Sequence, residues 1–480
     1  MALYPELCRH GATALARMIA ERAVSSREVV GAFLDRIDAV NPAHTAIVSL
    51  RPRADVLGEA DAADAMLARG EAVGPLHGLP QAVKDLALTR GLRTSFGSPL
   101  FADFVPDVDT YFVERVRRAG AIIIGKTNAP EMGLGSHTFN PVFGPTRNAY
   151  DPGRSAGGSS GGAAVALALR MLPVADGSDM GGSLRNPAAF NNVFGLRPSQ
   201  GRVPGGPAVD GFMSQLSTDG PMARGIDDLA LMLAVQSGHD ARAPLALDGP
   251  GIPPGVELRA DPRGRRIAWL GDLGGHLPFE PGILDLCHQG LGALGDLGCV
   301  VEPAEPGFDW EKLWRAFVVL RQFSVGGRYR ALHADAAKRP QIKPEMRWEI
   351  ESAQALSAHD VYEAATVRTS WYARALELFE RYDALALPTA QVFPFPVDRR
   401  WPEEIAGRPM DSYHRWMEVV VPGTMSGCPV ISVPVGFSPA GLPMGMQLIG
   451  RPRGDLELLR LARAYEDACP WLAIQPPGPS

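Results

Sequence analysis

Residues 153–187, GRSAGGSSGGAAVALALRMLPVADGSDMGGSLRNP, constrain this chain more than any other stretch. Two glycine-flanked serines, Ser159 and Ser183, bracket an apolar run. Glycine has no Cβ, so such nests expose backbone N–H groups and let the main chain approach a ligand closely. Between the nests, AAVALAL reads as a buried helix and MLPVADG as a short buried strand. The serines therefore fall on separate loops of one layer, a placement that suits a site and not a linker.

With 480 residues and 46% hydrophobic content the chain can bury a large core, and its length alone permits two or three domains. A formal charge of −6 argues against nucleic-acid binding, which usually needs a basic surface. The five cysteines are odd in number, widely scattered and form no CxxC pair. Neither a disulfide framework nor a metal site is expected, and no cofactor is implied. The first residues lack a continuous apolar segment and no run approaches membrane-spanning length, so the expectation is a cytoplasmic protein with no membrane contact.

Helices are predicted over 13–24 and 27–40, the second opened by a Ser25–Glu28 capping box, and over 54–69. QAVKDLAL reads as a strand with Lys84 inside it, an unusual position because a buried ammonium is costly unless paired or neutral. AGAIIIGKTN reads as strand then turn. Its GAIIIGKT satisfies a phosphate-loop pattern only formally, since AIII is strand-forming where that loop must be flexible. Gly153–Gly157 and Gly157–Gly161 both fit GxSxG, but a turn-rich loop precedes them where a nucleophile elbow needs a strand. Further on come a helix over 226–237, a Pro/Gly-rich exposed excursion at 241–264, a helix over 281–297, a mostly helical aromatic-rich segment over 310–382, the strand DALALPTA, a hairpin from GCPVISVPVGF to MGMQLIG, and a closing helix over 455–468. Strands and helices alternate throughout, which predicts an α/β sheet packed between helices.

A serine hydroxyl is a poor nucleophile until a base takes its proton. The ten histidines are scattered in sequence, and none sits in a motif cluster that also offers a carboxylate orienter. The other base available near neutrality is a lysine held neutral by burial. Lys84, Ser159 and Ser183 thus form a self-consistent Ser–Ser–Lys set.

PLHGLPQAVKDL, GAIIIGKTNAPEMG, GRSAGGSSGGAAVALAL and ADGSDMGGSLRNPAAFNNVFGLRPS, in this order, resemble the amidase signature family of serine hydrolases. The resemblance continues through STDGPMAR and YDALALPT to CPVISVPVGFSPAGLPMGMQLIGRP, nearly the whole chain. It implies one domain over 1–480: N-terminal helices (1–70), a signature core (71–240), a helical substrate-pocket region (310–382) and C-terminal strands with a helix (383–480). It also implies a large mixed central β-sheet covered on both faces by helices.

By the same resemblance Ser183 is the nucleophile that forms an acyl-enzyme. Ser159, after a cis peptide from Gly158, relays protons to Lys84, the neutral base. Backbone N–H groups of Met180, Gly181, Gly182 and Ser183 form the oxyanion hole. Ser160, Ser178, Asp179 and Arg185 hold the nest and the lysine, while Asn128, Glu131, Met132 and Gln215 stand as substrate-binding candidates. Met180 stands where many members have threonine or isoleucine, and Asn186 lies at a variable position. The expected partners are water and a small amide with a bulky, uncharged or aryl group, with esters and carbamates as further substrates; self-association as a homodimer is left open. The alternative is the A subunit of a glutamyl-tRNA(Gln) amidotransferase, acting as a glutaminase. Against it, DMGGSLRNP lacks the threonine after the aspartate and the glutamine before the proline that are usual in that protein.

Overall fold

Three helices open the chain: α1 (Ala12–Ala20), α2 (Ser26–His44) and α3 (Arg53–Ala68). Ser25 caps α2 as its sequence predicts. Its hydroxyl accepts the Glu28 N–H at 3.1 Å and the Glu28 carboxylate accepts the Ser25 N–H at 2.8 Å. The computed structural model describes residues 6–477.

The next strands, β1 (Ile47–Val48), β2 (Pro80–Lys84) and β3 (Ile122–Thr127), form a small sheet of order β1-β3-β2, with α4 (Tyr111–Arg118) between β2 and β3 in sequence. β2 runs parallel to β3, and the strand predicted over QAVKDLAL stops at Lys84, where the chain turns. The GAIIIGKT segment is buried strand at β3, and the Lys126 ammonium is spent on Ala87 O (2.6 Å) and Thr89 Oγ1 (2.7 Å). It is no phosphate loop.

The rest of the chain builds the large sheet. In order come α5 (Gly161–Ala168), β4 (Ala175–Asp179), α6 (Arg185–Phe190), β5 (Phe194–Arg197), β6 (Thr218–Ala223), α7 (Ile226–Gln236), β7 (Arg266–Trp269), α8 (Ile283–Asp296) and β8 (Val300–Pro303). Helices α9 (Trp310–Ala334), α10 (Pro344–Gln354) and α11 (Ala358–Phe379) follow, then β9 (Ala384–Pro388), the short pair β10 (Glu404–Ile405) and β11 (Arg408–Pro409), α12 (Val421–Ser426), β12 (Val430–Phe437), β13 (Pro443–Gly450) and α13 (Asp455–Asp467). Eight strands form one mixed sheet of order β4-β6-β5-β12-β13-β9-β7-β8, parallel only among β9, β7 and β8. Helices cover both faces. A Cβ on Gly445 of β13 would lie 2.9 Å from Ala189 of α6, and on the opposite face one on Gly290 of α8 would lie 2.6 Å from Val435 of β12.

α5 is apolar all round and every one of its residues is buried, as a helix without a polar face requires. The strand expected over MLPVADG begins later, at Ala175, and ends at Asp179. Pro173 has no N–H to give a ladder, so Met171–Val174 are buried without strand pairing. That shift puts Ser178 and Asp179 in the strand and leaves the Ser183 loop directly after it. Residues 241–264 form no regular element, yet Ala243, Ile252 and Leu258 are buried and the Leu247 N–H binds Gly201 O at 2.8 Å. All five cysteines are free and buried. Among the described residues no helix is long and apolar enough to cross a membrane.

Asp176 joins the two sheets. Its carboxylate accepts the Gln81 amide at 3.0 Å and the Lys84 backbone N–H at 3.1 Å, so the edge strand β2 is held beside β4 by one buried side chain. Asp176→Ala leaves two buried donors unmet at about 1–3 kcal/mol each. We expect a lower unfolding midpoint in a thermal melt of the full chain.

Candidate active site

Lys84 ends β2, is 2% exposed and has no carboxylate within ion-pairing distance among the described residues. Its Nζ donates to Ser159 Oγ (2.8 Å), Ser160 Oγ (2.8 Å) and Ser178 Oγ (3.0 Å). Desolvation pushes the ammonium down to about 7, against the upward pull of Asp219, Asp176 and Asp179. A lysine so placed is a base near neutrality.

Ser159 and Ser160 precede α5, and the Gly158–Ser159 peptide is cis. The turn is crowded by backbone: a Cβ on Gly162 would lie 2.4 Å from Asn128 N and 2.5 Å from Ala46 O. Ser183 follows β4 in the second nest, where Gly182 has φ +90°. The Ser160 N–H donates to Ser183 O at 3.2 Å, which ties the two nests together. The Ser183 hydroxyl carries no hydrogen bond to a described residue and lines a cavity of about 660 Å³ shared with Lys84, Ser159, Ser178, Met180 and Gly181.

A buried ion cluster anchors the second nest. Asp179 accepts the Gly182 N–H (2.9 Å) and the Leu184 N–H (3.1 Å) while pairing with Arg185 through two bonds of 3.0 Å. Burial alone would raise the Asp179 carboxyl; the Arg185 and Arg197 guanidinium groups hold it well below the usual carboxylate range. Arg185 also donates to Val420 O (2.9 Å), Gln447 Oε1 (2.7 Å) and Thr424 Oγ1 (2.8 Å), so the nest is bolted to β13 and α12. Of the N–H groups expected in the oxyanion hole, that of Gly182 is engaged by Asp179, whereas those of Gly181 and Ser183 have no partner among the described residues.

The four candidate substrate-binding residues separate. Met132 and Gln215 line the cavity. Asn128 does not: its amide donates to Thr146 Oγ1 (3.0 Å) and its oxygen accepts from Asn140 (2.7 Å), which clasps the surrounding loops. Glu131 is 3% exposed, outside the lining, and accepts from Ser98 Oγ at 2.8 Å.

Other residues of the cavity were not singled out from the sequence. Phe96, Phe101 and Phe104 form an aromatic cluster on one wall, while Val325 and Tyr329 arrive from α9. Arg321 of α9 donates to Glu349 (2.6 Å), to the Tyr413 hydroxyl (2.7 Å) and to Met180 Sδ (3.3 Å), so a buried ionic network backs the Ser183 loop. His414 lies 3.8 Å from Glu349 in that network, and His276 lies 2.8 Å from Glu418 elsewhere. Folding thus pairs histidines with carboxylates that sequence spacing kept apart, and none of these groups lines the serine–lysine cavity. Ser155, the centre of one GxSxG match, is buried against His137 Nδ1 at 2.8 Å. Ser217, Thr218 and Asp219 carried a signal through STDGPMAR, and Val325 and Tyr329 fall in the helical region 310–382 expected to form the pocket.

The amidase family model matches residues 28–459. The chain is 36% identical to the A subunit of a glutamyl-tRNA(Gln) amidotransferase from Acidothermus cellulolyticus, over 96% of this chain and 95% of that one. It is 34% identical to an acylamidase of Rhodococcus erythropolis over 97% and 96%. The crystal structure of a bacterial aryl acylamidase of the amidase signature enzymes superposes with a TM-score of 0.89, at 29% identity, over 96% of each chain. The chain belongs to the amidase signature family, and it is an amide hydrolase.

Removing one partner of a buried ion pair costs about 3–5 kcal/mol. Arg185→Met is expected to lower the unfolding midpoint accordingly and to reduce turnover, because the Ser183 loop loses its anchor. Arg185→Lys, which cannot form the two-pronged pair, is expected to recover only part of either loss, as read by calorimetry and rate.

Proposed function

We propose that this chain is a free-standing amidase that cleaves the C–N bond of amides carrying a bulky apolar or aryl group, through an acyl-enzyme on Ser183. The observation that carries the reading is a buried lysine held by three serine hydroxyls, with the free Ser183 hydroxyl on the same cavity. Lys84, as the neutral amine, takes a proton from Ser159 while Ser159 takes one from Ser183, and Ser183 Oγ attacks the carbonyl carbon. The developing oxyanion is received by the N–H groups of Gly181 and Ser183 at the Met180 turn. Collapse breaks the C–N bond as the Lys84 ammonium returns the proton through Ser159 to the leaving nitrogen. Water then repeats the relay and releases the acid.

The cavity volume and its Phe96, Phe101, Phe104 and Met132 wall favour bulky apolar acyl or aryl groups. Esters and carbamates pass through the same kind of tetrahedral intermediate and are expected as further substrates. The second reading, a glutaminase component of a complex, is favoured by the 36% identity to the A subunit of an amidotransferase. A panel of aryl anilides, an aryl ester, an aryl carbamate and glutamine, tried on the purified chain, separates them. Turnover of anilide or carbamate that is lost in Ser183→Ala supports the amidase. Activity confined to glutamine and dependent on a co-purifying partner supports the glutaminase.

Lys84 sets two further expectations. Lys84→Ala is expected to cost several orders of magnitude in kcat, more than Ser159→Ala, whose hydroxyl a water can partly replace; near-normal turnover by Lys84→Ala at neutral pH would remove the assignment. Because only the neutral amine is a base and its pKa lies at about 7, kcat/KM is expected to fall as pH drops below about 7, with the limb set by the free enzyme.

A further inference from the structure

Almost every charged side chain on the cavity already has a protein partner. Lys84 is held by the three serines and Asp176 by Gln81 and the Lys84 N–H. Asp210 accepts three N–H groups of its own loop, those of Phe212, Met213 and Ser214. Arg242 pairs with Glu114 and Asp240, and Arg321 with Glu349 and Tyr413. Two groups are left. Arg328 lies exposed at the rim on α9, with the Tyr329 ring 6.0 Å away and the Asp219 carboxylate within electrostatic range. Asp219 lies deeper, on β6, and its carboxylate has no hydrogen bond or ion pair among the described residues.

Asp219 is placed beside the chemistry by strand register. It pairs directly with Ser178 across β4 and β6, so its side chain shares a face with the hydroxyl that holds Lys84. An ionised carboxylate only accepts hydrogen bonds, and Asp219, half-buried on the cavity wall, is met by no donor among the described residues. Asp176 adds negative charge beside it while Lys84 and Arg328 act on it only through space, and the open cavity in front can hold an organic ligand.

We propose that Asp219 is an anionic subsite that binds an amino group of the amide substrate, making it a specificity-determining residue of the serine–lysine site. The inference rests on the amide-hydrolase reading and refines it: the aromatic wall takes apolar bulk, and Asp219 takes an ammonium. Binding has a consequence for Lys84, because Asp219 is the carboxylate that most favours the Lys84 ammonium. A substrate cation on Asp219 offsets that pull and leaves Lys84 in its neutral, basic form. The titration has a defined sign. Burial, with Asp176, pushes the Asp219 carboxyl up to about 7 against Lys84 and Arg328. The ammonium binds only the ionised carboxylate, so preference for an amino substrate rises with pH through about 7.

The test compares 4-nitroanilides that differ only in ammonium against methyl: β-alanyl with butanoyl, and 6-aminohexanoyl with heptanoyl. Wild-type protein is expected to prefer the amino member of at least one pair. Read above about pH 7, where Lys84 is neutral with or without Asp219, Asp219→Asn is expected to lower kcat/KM for that member about tenfold, about 1.4 kcal/mol, and to change the methyl member far less. Asp219→Glu is expected to restore part of the preference, and a thermal melt checks that each variant folds. Equal effects of Asp219→Asn on both members, or no preference for the amino member in either pair at any pH, would overturn the subsite. A second measurement does not need turnover: calorimetric binding of 6-aminohexanamide and heptanamide to Ser183→Ala, with and without Asp219→Asn. Selective binding without hydrolysis by the wild type keeps the subsite and removes the amidase reading; hydrolysis without selectivity does the reverse.

Discussion

The structure depends on keeping one ammonium group out of water. Burying a lysine costs several kcal/mol unless a counter-charge or good hydrogen bonds compensate. Among the described residues Lys84 has hydroxyl partners and no direct carboxylate partner, so its charge is only partly supported and its proton is loosely held. Asp176 is close enough to fix the lysine's backbone but accepts from its N–H and not from its ammonium. That division of labour lets a carboxylate position the lysine without forcing it to stay protonated.

The neighbouring nest follows the opposite principle. Asp179 is fully buried and fully paired, with Arg185 and two backbone N–H groups on its oxygens. Its charge is permanent, so it works as a rivet. Through Arg185 the Ser183 loop is fixed to β13 and α12, and on its other side Arg321 reaches Met180 from α9. The loop is gripped from both ends while the Ser183 hydroxyl stays free. Rigid backbone around an unpartnered hydroxyl suits the nucleophile role proposed for Ser183, since donors must already point to where charge would develop.

Some of this was legible in the chain. The glycine nests announced a backbone that must approach something closely, and at Gly162 the close approach is to Asn128 and Ala46. Lysine in an apolar strand announced an unusual charge, and the alternation of elements announced an α/β sheet. Other features were not legible. The lysine strand belongs to a separate small sheet, and nothing local in QAVKDLAL says which strand it will adjoin. Asn128 could be read from its strand end either as a substrate contact or as a loop clasp, and the choice was made by distant acceptors, Thr45 on one loop and Gly144 and Thr146 on another.

The sequence by itself determined the residue types that chemistry needs, their order and the flexible turns that carry them, because these follow from side-chain identity and short-range backbone freedom. Only the tertiary structure decided which groups are left unpaired. Asp210 and Asp219 are both aspartates on one stretch of chain, yet Asp210 folds its own loop onto its carboxylate, while strand register sets Asp219 opposite Ser178 with no donor among the described residues. Whether a polar group is spent or available depends on long-range neighbours and on exclusion of water, and neither is a property of sequence position.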